Sequence, residues 1–155
     1  MTGHAVASFF SLGVHPTLPS ADKLSGQVAP ERLKAAEACR AIQRPVCNAV
    51  TEVIKKSFNS APSSRMKSNR DVGIVYGWCV FCMLVDDIDL LERHFLKSVR
   101  TVFAKLEFPE GSRSITAAYA TLRGEALTRL DAESQVIMEP YFTKVVQVMS
   151  HGQAE

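Results

Sequence analysis

From Val72 to Val85 the chain is almost unbroken apolar sequence, and it runs without a spacer into Asp86-Asp87-Ile88-Asp89-Leu90-Leu91-Glu92. That junction constrains the fold more than any other feature. The apolar run is too long for one strand and shorter than the ~20 residues that cross a bilayer. Its residues are apolar on nearly every helical face, the pattern of a helix surrounded by other helices. A core helix therefore ends in a group of carboxylates that something must stabilise.

The flanking sequence supplies the other helices. Residues 1–29, with His15-Pro16, Pro19, Ser20 and Gly26, show no sustained period and predict an irregular N-terminal arm. From Pro30, a proline suited to a first helical position, apolar residues recur at helical spacing as far as Ile54, with a bend expected at Pro45. The polar stretch from Ser57 to Asn69 predicts a loop, with room for a short helical turn at its end, after which Asn69 or Asp71 caps the apolar helix. Gly73 and Gly77, four apart, predict a close approach by a neighbour. Beyond His94, Phe95, Leu96, Val99, Val102, Phe103 and Leu106 form another stripe. A break at Phe108-Pro-Glu-Gly-Ser-Arg-Ser precedes a stripe from Ile115 to Leu130. Asp131 then caps a last helix, in which Pro140 predicts a kink or a late start. With no period-two segment and no Asn-Gly hairpin, the expectation is an all-α helical bundle of about five helices, with the helical domain at 30–155.

Composition narrows function only by exclusion. Eighteen basic against sixteen acidic side chains leave a net charge of +2, which selects no nucleic acid or other polyanion. The N-terminus lacks a basic segment before its apolar residues and makes a poor signal peptide, so a cytoplasmic protein without a membrane span is expected. Cys79-Val-Phe-Cys82 has the CxxC spacing of metal and redox sites. It lies within the apolar run, where cysteine behaves as a small hydrophobe, and reduced core thiols are the better reading for it and for Cys39 and Cys47. His4 and His94 have no recognisable partner and read as surface residues.

The acidic run has two readings. At 3.6 residues per turn, Asp86 and Asp89 share a helical face with Glu92 or Arg93 next on it, while Asp87 is rotated away by about 100°. Carboxylates that converge call for a cation, and magnesium suits hard oxygen ligands completed by substrate phosphates. The candidate metal ligands are Asp86, Asp87, Asp89 and Glu92. Otherwise the helix simply reaches solvent at Val85, with Arg93 offsetting Asp89 four residues away.

Around this run the sequence resembles the class I terpene synthases, in particular the fungal aristolochene synthase-like sesquiterpene cyclases. The resemblance rests on His15-Pro16, on Tyr76-Gly-Trp-Cys-Val-Phe-Cys-Met-Leu-Val leading to Asp86-Asp87, on Asp89-Leu-Leu-Glu92, on Arg113-Ser-Ile115 and on Glu139-Pro-Tyr-Phe142. It implies a terpene-synthase bundle in which magnesium triggers ionisation of a prenyl diphosphate, such as farnesyl diphosphate, before cyclisation. Asp86 would be the leading ligand, with Tyr76 and Phe81 lining an aromatic pocket for the carbocation. Asp86-Asp87 stands two residues further from Leu-Leu-Glu than the family's DDLLE motif allows, which leaves Asp86 and Asp89 both open as main ligand. No NDxxSxxxE-type motif precedes Glu155, and Asp131-Ala-Glu-Ser134 with Glu139 misses its spacing. The expectation is thus the N-terminal half of a cyclase, with little or no activity by itself. Two alternatives stand beside it: a non-catalytic helical protein that pairs with another chain or with its own copy, and a chain-elongating prenyltransferase.

Overall fold

The computed structural model describes residues 28–58, 62–105 and 111–150. Most of the expected N-terminal arm, including His4 and His15-Pro16, and the first part of the expected break, Phe108-Pro-Glu, lie outside them, while the rest of that break, from Gly111 on, is helix. The described residues form helices and no strand. In chain order these are α1 (Pro30–Phe58), α2 (Pro62–Leu84), a single turn α3 (Ile88–Leu90), a π turn (Leu91–Leu96), α4 (Lys97–Lys105), α5 (Gly111–Arg129) and α6 (Ala132–Ser150).

Helix α1 buries Ala35, Cys39, Val46 and Val50, spaced by four and seven residues, along one stripe. That stripe packs on α5, α2 and α6, so α1 runs through the middle of the fold. Helix α2 buries Val72, Val75, Tyr76, Cys79, Val80, Cys82 and Met83, which covers most of its circumference, as its apolar sequence requires. Helix α6 closes the core with Met138, Tyr141, Phe142 and Val145, and it touches α1, α2, α5 and the π turn.

Several expectations hold. The chain is all-α, α1 begins at Pro30, and Asp131 caps α6, with the Ser134 backbone N–H donating to its carboxylate at 3.0 Å and the Ser134 hydroxyl at 2.8 Å. His94 is exposed.

Others need correction. The loop expected over 57–69 is mostly helix, because α2 starts at Pro62, and Asn69 and Asp71 lie in its interior rather than at its cap. Proline at a first helical position costs no hydrogen bond, so Pro62 starts α2 as Pro30 starts α1. Helix α6 starts at Ala132 and continues through Pro140, which excludes the late start, while α1 runs through Pro45 as the one helix expected. Gly73 marks no close approach: a Cβ there would meet only the end of the Gln43 side chain, at 3.9 Å.

The π turn was not foreseen. Positions five apart on an α-helix point about 140° away from each other. The wider turn, closed by the Lys97 N–H on the Glu92 carbonyl, brings Leu91, Phe95 and Leu96 all into the core.

Candidate functional site

The acidic run forms a corner between two helices. Helix α2 ends by a Schellman arrangement: the Asp87 N–H donates to the Cys82 carbonyl at 2.9 Å, and the Asp86 N–H donates to the Met83 carbonyl at 3.2 Å. That motif needs a left-handed residue, usually glycine, and here it is Asp86, with φ of 54°. Aspartate is among the few non-glycine residues that occupy this region readily. Asp87 then starts the next helix, its carboxylate accepting from the Leu90 N–H at 2.9 Å. One residue closes α2 with its backbone and opens α3 with its side chain.

The remaining carboxylates face different partners. The Asp86 carboxylate accepts from the Arg32 guanidinium at 2.9 Å. Arg32, on α1, also donates to the Met83 carbonyl at 2.5 Å and to the Tyr141 hydroxyl at 3.4 Å, so one side chain fastens the end of α2 to α1 and α6. A cation there also complements the negative end of the α2 dipole. Glu92 pairs with Lys144 of α6 at 3.0 Å, tying the π turn to that helix. Asp89 is exposed. Sequence spacing could not reveal Arg32 and Lys144, because each lies more than fifty residues from its acidic partner.

The expected convergence of Asp86, Asp87, Asp89 and Glu92 on one magnesium ion therefore gives way to a helix stop, a helix start and two ion pairs. No group of three or more histidine, cysteine, aspartate or glutamate side chains able to hold a metal ion occurs among the described residues.

The two expected pocket aromatics sit in different surroundings. Tyr76 is buried in the core, stacked on Phe142 at 5.7 Å, and its hydroxyl donates to the Cys39 carbonyl at 2.5 Å. Burial pushes its phenol well above the usual range. Phe81 is half-buried on another side of α2, edge-on to Trp78 at 5.8 Å, and Trp78 in turn stacks on Phe95 at 4.9 Å.

The four cysteines are free and buried. Cys39, Cys79 and Cys82 are fully enclosed and Cys47 is 5% exposed. Burial raises their thiols to about 12 for Cys39 and Cys82 and about 11 for Cys47, and that of Cys79 well above its ordinary value. They are core residues, as the apolar context of Cys79-Val-Phe-Cys82 indicates.

Comparison with curated proteins gives no match. Comparison with protein families gives one, the phycobilisome protein family, over residues 25–149. This overturns the resemblance to terpene synthases, and with it the cyclase and prenyltransferase readings, the lyase activity and the prenyl diphosphate substrate. Proteins of the matched family are non-enzymatic light-harvesting proteins. The magnesium assignment falls on the same finding and on the separation of the carboxylates; the family's cofactors are covalent bilins. No described helix is long and apolar enough to cross a membrane. The match runs from ahead of α1 almost to the end of α6, well over half of the sequence, and the chain belongs to the phycobilisome protein family.

Proposed function

We propose that this chain is a non-enzymatic structural subunit of a phycobilisome-type light-harvesting assembly, which acts through the surface of its helical body by associating with other phycobilisome proteins. The observation that carries this reading is the extent of the family match, which takes in every described helix. The interior agrees with it. Aliphatic and aromatic side chains fill the core, and three carboxylates of the acidic run are used in joining helices rather than presented to a substrate.

The test is association. The purified chain, mixed with phycobilisome proteins and run by sedimentation velocity, is expected to move into a faster boundary that contains both components. Sedimentation of the chain as an unchanged separate species with every subunit tried would overturn the proposal. A parallel incubation with farnesyl diphosphate and magnesium is expected to release no diphosphate.

A further inference from the structure

Covalent attachment of a bilin requires a side-chain nucleophile that can reach a carbon–carbon double bond of the tetrapyrrole. Thiolate is the side chain with the nucleophilicity for such an addition, and both its ionisation and its exposure control its reactivity. This chain has four thiols, at Cys39, Cys47, Cys79 and Cys82. Three are wholly enclosed, and the fourth is 5% exposed.

Their positions explain the burial. Cys39 and Cys47 lie on α1 and Cys79 and Cys82 on α2, and all four belong to one buried core cluster. Tyr76 lies among them, its hydroxyl held by the Cys39 carbonyl. A linear tetrapyrrole of four pyrrole rings cannot approach any of these enclosed sulfurs unless the helices packed around them separate. Such a separation would expose the centre of the core, at a cost comparable to unfolding.

From this we infer that the chain carries no thioether-linked bilin and that it enters a light-harvesting assembly as a colourless subunit. The inference rests on the proposed function for its setting, and on the placement of the four sulfurs for its content. A colourless subunit absorbs no light. Its contribution is to spacing and contact among coloured neighbours.

The test is co-expression of the full chain with the enzymes that make a linear tetrapyrrole and with a bilin lyase, followed by intact-mass measurement under denaturing conditions. A chromophorylated phycobilisome subunit serves as positive control. The expected result is the unmodified mass, with no zinc-enhanced fluorescence in the denatured band. A mass increase of one bilin on any of the four cysteines would overturn the inference.

A second measurement needs no lyase. In native buffer a thiol reagent is expected to label none of the four cysteines over a period in which it labels all four in denaturant. Rapid native labelling of any of them would likewise overturn the inference. Association, measured on the same material, separates the two proposals. A bilin-bearing chain that still joins phycobilisome proteins refutes the colourless state and supports the assembly role. An unmodified chain that joins nothing refutes the assembly role and leaves the statement about the thiols standing.

Discussion

Replacing Arg32 by methionine keeps most of the aliphatic stem and removes the guanidinium that fastens the end of α2. Three contacts are lost: the Met83 carbonyl at 2.5 Å, the Tyr141 hydroxyl at 3.4 Å and the Asp86 carboxylate at 2.9 Å. The first is a hydrogen bond from a charged donor to a helix-end carbonyl in a partly buried position, a class that contributes about 1.5–3 kcal/mol. The second is long and adds little. The third joins a side chain that is 26% exposed to one that is 74% exposed, and solvent screening holds such pairs to about 0–1 kcal/mol. Arg32→Met is thus expected to destabilise by roughly 2 kcal/mol, most of it through the carbonyl, which for a chain of this size lowers the melting temperature by about 4–8 °C. Asp86→Asn removes only the ion pair and keeps a residue suited to left-handed backbone, so its expected loss is about 0.5 kcal/mol. Urea unfolding followed by helical circular dichroism, on both single variants and the double variant, measures these values and the coupling between them. If Asp86→Asn costs as much as Arg32→Met, the ion pair rather than the carbonyl carries the clamp. If Arg32→Met costs less than about 0.5 kcal/mol, the clamp does not stabilise the fold, and the reasoning fails.

Asp87→Ala removes the carboxylate that accepts from Leu90 and is expected to cost about 1 kcal/mol in chemical denaturation, with magnesium having no effect on either protein. Gly73→Ala and Gly124→Ala are each expected to stabilise by about 0.5–1 kcal/mol, because a helical alanine loses less entropy and the added methyl meets ordinary contact or open space; destabilisation of both would show the backbone there to be less regular than described. Tyr76→Phe is expected to cost about 1 kcal/mol by loss of the hydrogen bond to Cys39 while the fold persists, as thermal unfolding of the two proteins would measure. The Asp131 carboxyl is held below its ordinary range, first by the Ser134 backbone N–H and then by the Ser134 hydroxyl. Its contribution is therefore present above its unfolded pKa of about 3.9 and is lost as the pH falls through the lower folded value. An acid titration of thermal stability should show the gap between the wild type and Asp131→Ala narrowing over that window; a gap that widens on acidification contradicts the assignment.

Local signals in the sequence carried the fold a long way. Pro30 and Asp131 mark helix starts by their own chemistry, and the apolar saturation of residues 72–85 requires a surrounded helix whatever the family. The misses share a cause, which is that one residue type serves several purposes. Serine, asparagine and proline over 57–69 favour turns, yet proline also starts helices, and Pro62 does so. Adjacent aspartates suit a metal site, and they also suit a left-handed helix end followed by a cap, which is the arrangement at Asp86 and Asp87. What decides between these uses is the arrival of Arg32 and Lys144 from distant helices, and no spacing within the acidic run contains that information. The elements shared with terpene synthases are short, none longer than the twelve residues from Tyr76 to Asp87. The family match draws on the whole helical body.

The π turn at Leu91–Leu96 limits how this chain can change over time. A π turn holds one residue more than the α turn it replaces, and here the extra residue lets Leu91 and Leu96, five apart, both face the core. Deleting the exposed His94 would leave Leu91 and Leu96 four residues apart, the spacing an ordinary α-helix keeps on one face, so the helix would become regular with α4 still turning the same side to the core. A further residue inserted between Leu91 and Leu96 would instead rotate α4 by about 100° relative to α3, and the Asp86–Asp87 corner just upstream cannot absorb that rotation, since its backbone is committed to α2 and its side chains to α1 and α3. Between Leu91 and Leu96 the length of the segment is thus constrained in one direction: it tolerates substitution at exposed positions and the loss of the one extra residue, and is intolerant of a further insertion.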